Sequence, residues 1–330
     1  MSETKPDKMP VVAVLHDPQA PPPGLEALEG EAEIRMADDA HSLAQALPGA
    51  DVLMVTDFRT GALEDAFHAA DRLQWIHATS AGVDKVLIPA VRESAVPVTN
   101  ARGIFDRGIA DYVVGAAFMV AKDFHGNLAF QRARQWRHRE TRRLDRQHML
   151  VVGTGSIGHE IGRLARAVGM SVSGVGSRRR EGDAVFGAIH DNTAFHDLLA
   201  EADHVAIAAP LTDQTRHLFD AAAFRAMPDH GHLINVGRGE IVQTEALVAA
   251  LNAGEIAAAS LDVFEQEPLP ADHPLWDRPG VMMSAHMAGD FMGWEQALTD
   301  QFIDNFRRWT AGDALFNQVD KARGYGPATG

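Results

Sequence analysis

Two α/β domains, each a parallel sheet covered by helices, are what this sequence of 330 residues predicts, and three observations predict them. Short apolar runs of strand length alternate with helical patterns along the chain. One of these runs leads straight into a glycine-rich turn and an amphipathic helix. Polar residues repeatedly follow the C-terminal end of a predicted strand, which in an open α/β sheet is the edge where ligands bind. The length suits two domains, each with its own core.

Taken in order, a polar start (MSETKPDKMP) precedes a first strand at Val11–Leu15, and a second follows at Val52–Val55. A proline-rich turn (Pro21, Pro22, Pro23) and a helical pattern at 40–47 separate them. Residues 73–77 (LQWIH) and 96–99 (VPVT) continue the alternation. Between them Thr79-Ser80-Ala81-Gly82-Val83-Asp84 directly follows a strand. Small residues there leave backbone amides open to an anion, and a plain strand-to-helix turn is the alternative. Asp106–Ala121 reads as a long apolar helix (Ile109, Tyr112, Val113, Ala116, Ala117, Val120) that bridges into the second domain. Residues 132–146 hold seven arginines with Trp136 and His138. One tryptophan provides no series of stacking platforms for nucleic acid, so a solvated or subunit-spanning arm is expected.

The most informative stretch comes next. The apolar run 149–152 enters Gly153-Thr154-Gly155-Ser156-Ile157-Gly158, followed by helical spacing at Ile161, Leu164, Ala165 and Val168 and a second apolar run at 172–175. Strand, GxGxxG, helix and strand together make the dinucleotide-binding unit of a Rossmann-like domain. Gly153 permits the tight turn, Gly155 lets a pyrophosphate approach the backbone, and Gly158 lets helix and strand pack closely. An NAD site places an acidic residue at the end of the second strand, for the ribose hydroxyls. Here Gly176 stands at that position, followed by Ser177, Arg178, Arg179 and Arg180. A hydroxyl and guanidinium groups suit a 2′-phosphate, so NADP(H) is expected in preference to NAD(H), with a solvated basic turn as the alternative.

Further on, residues 205–209 end at Pro210, and Leu233 and Ile234 end at Asn235-Val236-Gly237-Arg238-Gly239. Residues 257–261 lead into Asp262-Val263-Phe264-Glu265-Gln266-Glu267-Pro268, and Val281–Met283 into Ser284-Ala285-His286-Met287-Ala288-Gly289. One arginine, one glutamate and one histidine from three strand ends could therefore meet beside a nicotinamide, although on the residues alone a turn-capping Arg238 and a solvated loop acid at Glu267 are the favoured alternatives. The sequence has no cysteine, which excludes a disulfide framework, a thiol nucleophile and a thiolate metal site, and no metal is expected. A formal charge of −15 opposes nucleic acid or an anionic membrane as partner. With no apolar leader and no run of the roughly 20 residues that span a bilayer, a cytoplasmic protein is expected.

These motifs resemble the D-isomer-specific 2-hydroxyacid dehydrogenases. The resemblance rests on the glycine turn at 153–158, "PLTDQTRHLF" at 210–219, "INVGRGEIV" at 234–242, "ASLDVFEQEPLP" at 259–270, "SAHMAG" at 284–289 and "NQVDKARGY" at 317–325. It implies two similar domains, flavodoxin-like and Rossmann-like. The substrate domain is expected at 1–101 plus 290–330 and the cofactor domain at 102–289, with the active site in the cleft between them. It implies that Arg238 binds the substrate carboxylate and carbonyl oxygen, that His286 is the acid/base, and that Glu267 is its partner, favouring the imidazolium and orienting the ring. Ala81 and Gly82 would bind the substrate carboxylate through their backbone. Asp262 would meet the nicotinamide carboxamide, and Ser156, Ile157, Pro210, Val236 and His286 would contact cofactor. The expected reaction is NADPH-dependent reduction of a small 2-keto acid such as glyoxylate or hydroxypyruvate by a homodimer. Phe105, Trp136 and Trp294 are candidates for the pocket walls. A nucleotide-sensing scaffold similar to the C-terminal-binding corepressors is the alternative from another class. Formate and phosphite dehydrogenases are relatives within the fold, but a Glu–His pair fits a 2-hydroxyacid enzyme better than a formate one. "DRQHM" at 145–149 departs from the family's glycine-lysine turn, and the residues offer no reading of it.

Overall fold

A computed structural model describes residues 9–56 and 60–324. The first eight residues of the polar start, and Tyr325 of the closing motif, lie outside the described residues. The chain divides into two compact units, Met1–Ile104 with Phe291–Gly330, and Phe105–Asp290.

In the first unit β1 (Val11–Leu15), β2 (Glu33–Ala37), α1 (Ala40–Ala46), β3 (Val52–Val55), α2 (Thr60–Ala66), β4 (Trp75–Ala78), α3 (Pro89–Glu93) and β5 (Val98–Asn100) follow one another. Among the described residues its strands pair in parallel in the order β2-β1-β3-β4-β5. β1, β3 and β4 are buried along their whole length, which is why they read as unbroken apolar runs rather than alternating ones. Leu15, Leu43, Leu53, Leu63 and Ile76 fill one face of this sheet. β2 escapes the sequence reading for a physical reason: as a half-exposed edge strand it carries Glu33 and Arg35.

The second unit contains α4 (Asp106–Ala121), α5 (Phe124–Arg132), β6 (His148–Val152), α6 (Ser156–Ala167), β7 (Ser171–Val175), β8 (Arg180–Asp183), β9 (Gly187–His190), α7 (Phe195–Ala200), β10 (His204–Ile207), α8 (Ala221–Ala226), β11 (His232–Asn235), α9 (Thr244–Ala253), β12 (Ala258–Leu261) and β13 (Val281–Met283). Among the described residues they form an eight-stranded sheet ordered β13-β12-β11-β10-β6-β7-β9-β8, parallel except for the β8–β9 pair. The chain runs outward from β6 through β7 and then returns to β10 on the other side of β6. That reversal opens a crevice at the C-terminal ends of β6 and β10, where a doubly wound sheet binds its ligand.

The last helix, α10 (Trp294–Ala311), belongs to the first unit and packs Phe302, Ile303 and Phe306 on Val12, Val14 and Trp75. The Trp75 and Phe302 rings stack at 5.3 Å. Among the described residues no helix is long and apolar enough to cross a membrane.

Candidate active site

At the crevice of the second unit the glycine turn is built as its spacing predicts. Gly153 has φ 101°, and a Cβ on it would lie 2.4 Å from the Ala209 nitrogen at the end of β10. A Cβ on Gly158 would lie 1.9 Å from the Gly153 carbonyl oxygen. Both positions are closed to any side chain. Gly155 is the opposite case, with nothing within 4 Å of its would-be Cβ. It is also the N-cap of α6 and makes no side-chain cap, so the first-turn amides at Ser156 and Ile157 remain for a ligand. A cradle of bare backbone facing open space fits a dinucleotide pyrophosphate. Pro210, exposed, and Val236, buried, sit just beyond β10 and β11 on the same edge.

Past β7 the chain makes a feature the sequence reading lacks. A Cβ on Gly176 would lie 2.8 Å from Thr154 Oγ1 and 3.1 Å from Ile189, so the place of an acidic side chain is taken by the glycine turn's own threonine. Ser177, Arg178 and Arg179 are exposed. Arg179 pairs with Glu181 at 3.1 Å, both largely in solvent. Arg180 is not part of that exposed turn: it begins β8, and its Nη2 donates to the Thr154 carbonyl at 3.4 Å. Asp183, at the far end of β8, accepts from the Val185 and Phe186 amides at 3.0 Å and lies 2.8 Å from His159 Nε2. Burial opposes ionisation of Asp183, yet the Phe186 amide, His159 and the Val185 amide together hold its carboxyl below the usual value. His159 Nδ1 in turn faces the Gly155 carbonyl at 2.9 Å. The β8–β9 hairpin is thereby pinned to the start of α6.

The three polar loops expected to carry chemistry are joined. Gly239 follows Arg238, and a Cβ on it would fall 1.9 Å from the Phe264 carbonyl carbon, so the arginine loop lies flush on the chain that leads to Glu267. Asn235 braces the same loop, donating from Nδ2 to the Arg238 carbonyl at 3.0 Å and accepting from the Gly237 amide at 3.1 Å. Glu267 accepts from the Phe264 amide through Oε1 at 2.9 Å and meets His286 Nδ1 through Oε2 at 2.9 Å. About a third of each side chain in that pair is exposed, 32% for His286 and 37% for Glu267, enough for a reactant to reach them. His286 has φ 52°, a left-handed conformation uncommon for a residue with a Cβ. Asp262 is only 3% exposed. Its carboxylate accepts from Ser284 Oγ at 2.6 Å and from the Met287 and Ala288 amides at 2.9 Å each, and its carbonyl accepts from the His286 amide at 2.8 Å.

In the first unit, the 79–84 turn leaves β4 at its C-terminal end. Asn100 Nδ2 donates to the Ala81 carbonyl at 2.6 Å and Ser80 Oγ to the Gly82 carbonyl at 2.6 Å, while the amides of Ala81 and Gly82 donate to no described residue. Of the pocket-wall candidates, Phe105 packs on Gly289, Trp294 begins α10, and Trp136 is fully exposed. Sequence reasoning missed Tyr112, whose hydroxyl lies 2.7 Å from Ser284 Oγ. The only signal for it was a phenol inside an otherwise aliphatic helix face.

Residues 114–288 match the family described as D-isomer specific 2-hydroxyacid dehydrogenase, NAD binding domain. A glyoxylate reductase of Aeropyrum pernix is 34% identical over 68% of this chain and 69% of its own length. Among solved structures, the NADPH-dependent glyoxylate/hydroxypyruvate reductase of Sinorhizobium meliloti, in complex with NADP and sulfate, is 27% identical. It matches with a TM-score of 0.83 over 96% of this chain and 100% of that one. A D-isomer specific 2-hydroxyacid dehydrogenase of Xanthobacter autotrophicus, in complex with NADPH and MES, is 27% identical with a TM-score of 0.82 over 96% and 100%.

Proposed function

The chain belongs to the D-isomer-specific 2-hydroxyacid dehydrogenase family, and from that premise we propose that it reduces a small 2-keto acid, glyoxylate or hydroxypyruvate foremost, to the D-2-hydroxy acid. NADPH is the preferred cofactor in this reading. The observation that carries it is the 2.9 Å contact between the His286 imidazole and the Glu267 carboxylate, in a loop cluster that also holds Arg238. An ionised carboxylate only accepts, so Nδ1 keeps its proton in either state of the ring and Nε2 is the nitrogen that exchanges one with substrate. In reduction Nε2–H protonates the developing alkoxide, and in oxidation bare Nε2 takes the proton of the hydroxyl. Arg238 grips the substrate carboxylate through two parallel bonds, and its charge stabilises the oxygen as it becomes negative. With its pyrophosphate on the 153–158 turn, a bound dinucleotide would supply or take up the hydride through its nicotinamide ring. Among the described residues Asp262 Oδ2 accepts only from the Ala288 amide and keeps a lone pair for the carboxamide. In the first unit, the Ala81 and Gly82 amides are the groups suited to an anionic substrate.

NADPH preference is supported by the absence of room for a side chain at Gly176 and by Ser177 and Arg178 standing exposed beside it. The NADP and NADPH complexes of the related structures point the same way. A homodimer is supported by Phe118, Phe124, Leu128 and Trp136, large apolar side chains exposed on α4, α5 and the arginine-rich segment that follows.

Steady-state assays with NADPH or NADH against a panel of 2-keto acids test the reading. Wild-type protein is expected to turn over with a higher kcat/KM for NADPH. His286→Ala should lose roughly 10²- to 10⁴-fold in kcat. Near-normal turnover in that variant removes the mechanism, and no turnover by the wild type leaves a cofactor-binding scaffold.

A further inference from the structure

The loop that carries His286 is held in a conformation its own sequence does not favour. At φ 52° the residue pays a steric penalty that glycine would escape, so something outside the loop has to impose it. Asp262 is the immediate clamp, taking four hydrogen bonds from residues 284–288: the Ser284 hydroxyl, the Met287 and Ala288 amides on its carboxylate, and the His286 amide on its carbonyl. Beyond Asp262 the chain of bonds continues. Tyr112, on α4, places its hydroxyl 2.7 Å from Ser284 Oγ.

The direction of this chain follows from what each group can do. An ionised carboxylate cannot donate, so the 2.6 Å bond uses the one hydroxyl proton of Ser284. The serine oxygen can then only accept, and Tyr112 is the donor. Met282 Sδ, 3.4 Å from the same phenol, is the weaker acceptor. Burial, with the Asp262 charge beyond Ser284, raises the Tyr112 phenol above its ordinary value despite the serine bond, so it keeps its proton and remains a donor. We propose that Tyr112 is a positioning residue for His286, acting through Ser284 and Asp262 to hold the 284–288 loop where the imidazole meets Glu267. It touches neither substrate nor cofactor in this role, and the proposal rests on the acid/base reading of His286.

Tyr112→Phe removes the donor and keeps the ring, and Ser284→Ala breaks the chain at its middle. Each is expected to lower kcat about 10-fold, toward the ~10² that a 1 Å misplacement can cost, with KM for NADPH changing less than kcat. Ser284→Thr, which keeps a hydroxyl, should restore most of the loss. Because the two groups act in series, the double variant should be no slower than Ser284→Ala alone. A second readout needs no turnover: in the cofactor-free protein the His286 ring resonances, identified by their loss in His286→Ala, should be single in wild type and shifted or doubled in Tyr112→Phe. Wild-type kcat in both variants, strictly additive losses, or an unperturbed His286 spectrum in Tyr112→Phe overturns the proposal. Full activity in His286→Ala overturns the acid/base reading instead, and the ring spectrum still decides whether Tyr112 positions the loop.

Discussion

His204 and His232 face each other across adjacent strands with their Nδ1 atoms 3.0 Å apart, and a hydrogen bond there needs one donor and one acceptor. Gln147 Oε1 lies 3.2 Å from His204 Nε2 and accepts a hydrogen bond from it, which in the neutral ring leaves His204 Nδ1 bare and makes His232 the donor. His232 Nε2 then accepts from Ser260 Oγ at 2.9 Å. Both rings are therefore neutral in the folded chain. Burial pushes His204 down to about 4 and, with His204 as a second cause, His232 well below its ordinary value. In the first unit burial pushes His77 down to about 3. The sign follows: below pH 6.5 the unfolded chain binds protons that these folded histidines refuse, so stability is full above that pH and falls as acid is added. At pH 5 each neutral histidine costs about 2 kcal/mol of folding free energy relative to pH 8. Urea titrations between pH 8 and pH 5 should show that loss, and a flat profile would contradict the neutral, buried assignment.

Among the elements, the β8–β9 hairpin has the most to say about cofactor choice. Three consecutive arginines in the sequence invite a single phosphate site, but the hairpin gives them three environments. Arg180 is drawn to the Thr154 carbonyl, Arg179 is paired with Glu181, and Arg178 stands exposed beside Ser177. Arg178→Ala is accordingly expected to lower kcat/KM for NADPH about 10- to 100-fold, the worth of a charged hydrogen bond, while leaving NADH nearly unaffected. Equal losses with the two cofactors in parallel assays would place the 2′-phosphate elsewhere. The same elements show why parts of the fold were legible and others were not. β1, β3 and α4 have the bounds that their apolar patterns predict, because burial on both faces of a strand, or along one stripe of a helix, writes itself into local composition. β2, β8 and β9 lie at or beside sheet edges and mix charged with small residues, so no periodicity distinguishes them from loop.

At the scale of the whole molecule, the second unit exposes large apolar side chains where the proposed homodimer would close. Phe124 is 48% exposed, Leu128 50% and Trp136 completely so, next to a run of arginines that would keep the surface wetted. Light scattering should give the mass of two chains, and Trp136→Ala with Leu128→Ser should shift the population toward one; a monomeric wild type would leave this face without its proposed partner. Local order alone determined the glycine turn and the two-domain α/β plan, because backbone freedom at glycine and apolar periodicity act within a few residues; the trio Arg238, Glu267 and His286 came from the resemblance of whole motifs to a family, and local spacing put them only at strand ends. Tertiary structure alone decided which arginine stays available, that Thr154 fills the space beside Gly176, and that Tyr112 reaches a serine 172 residues away. Those outcomes depend on hydrogen-bond partners drawn from distant strands and helices, and no spacing along the chain encodes which of them will meet.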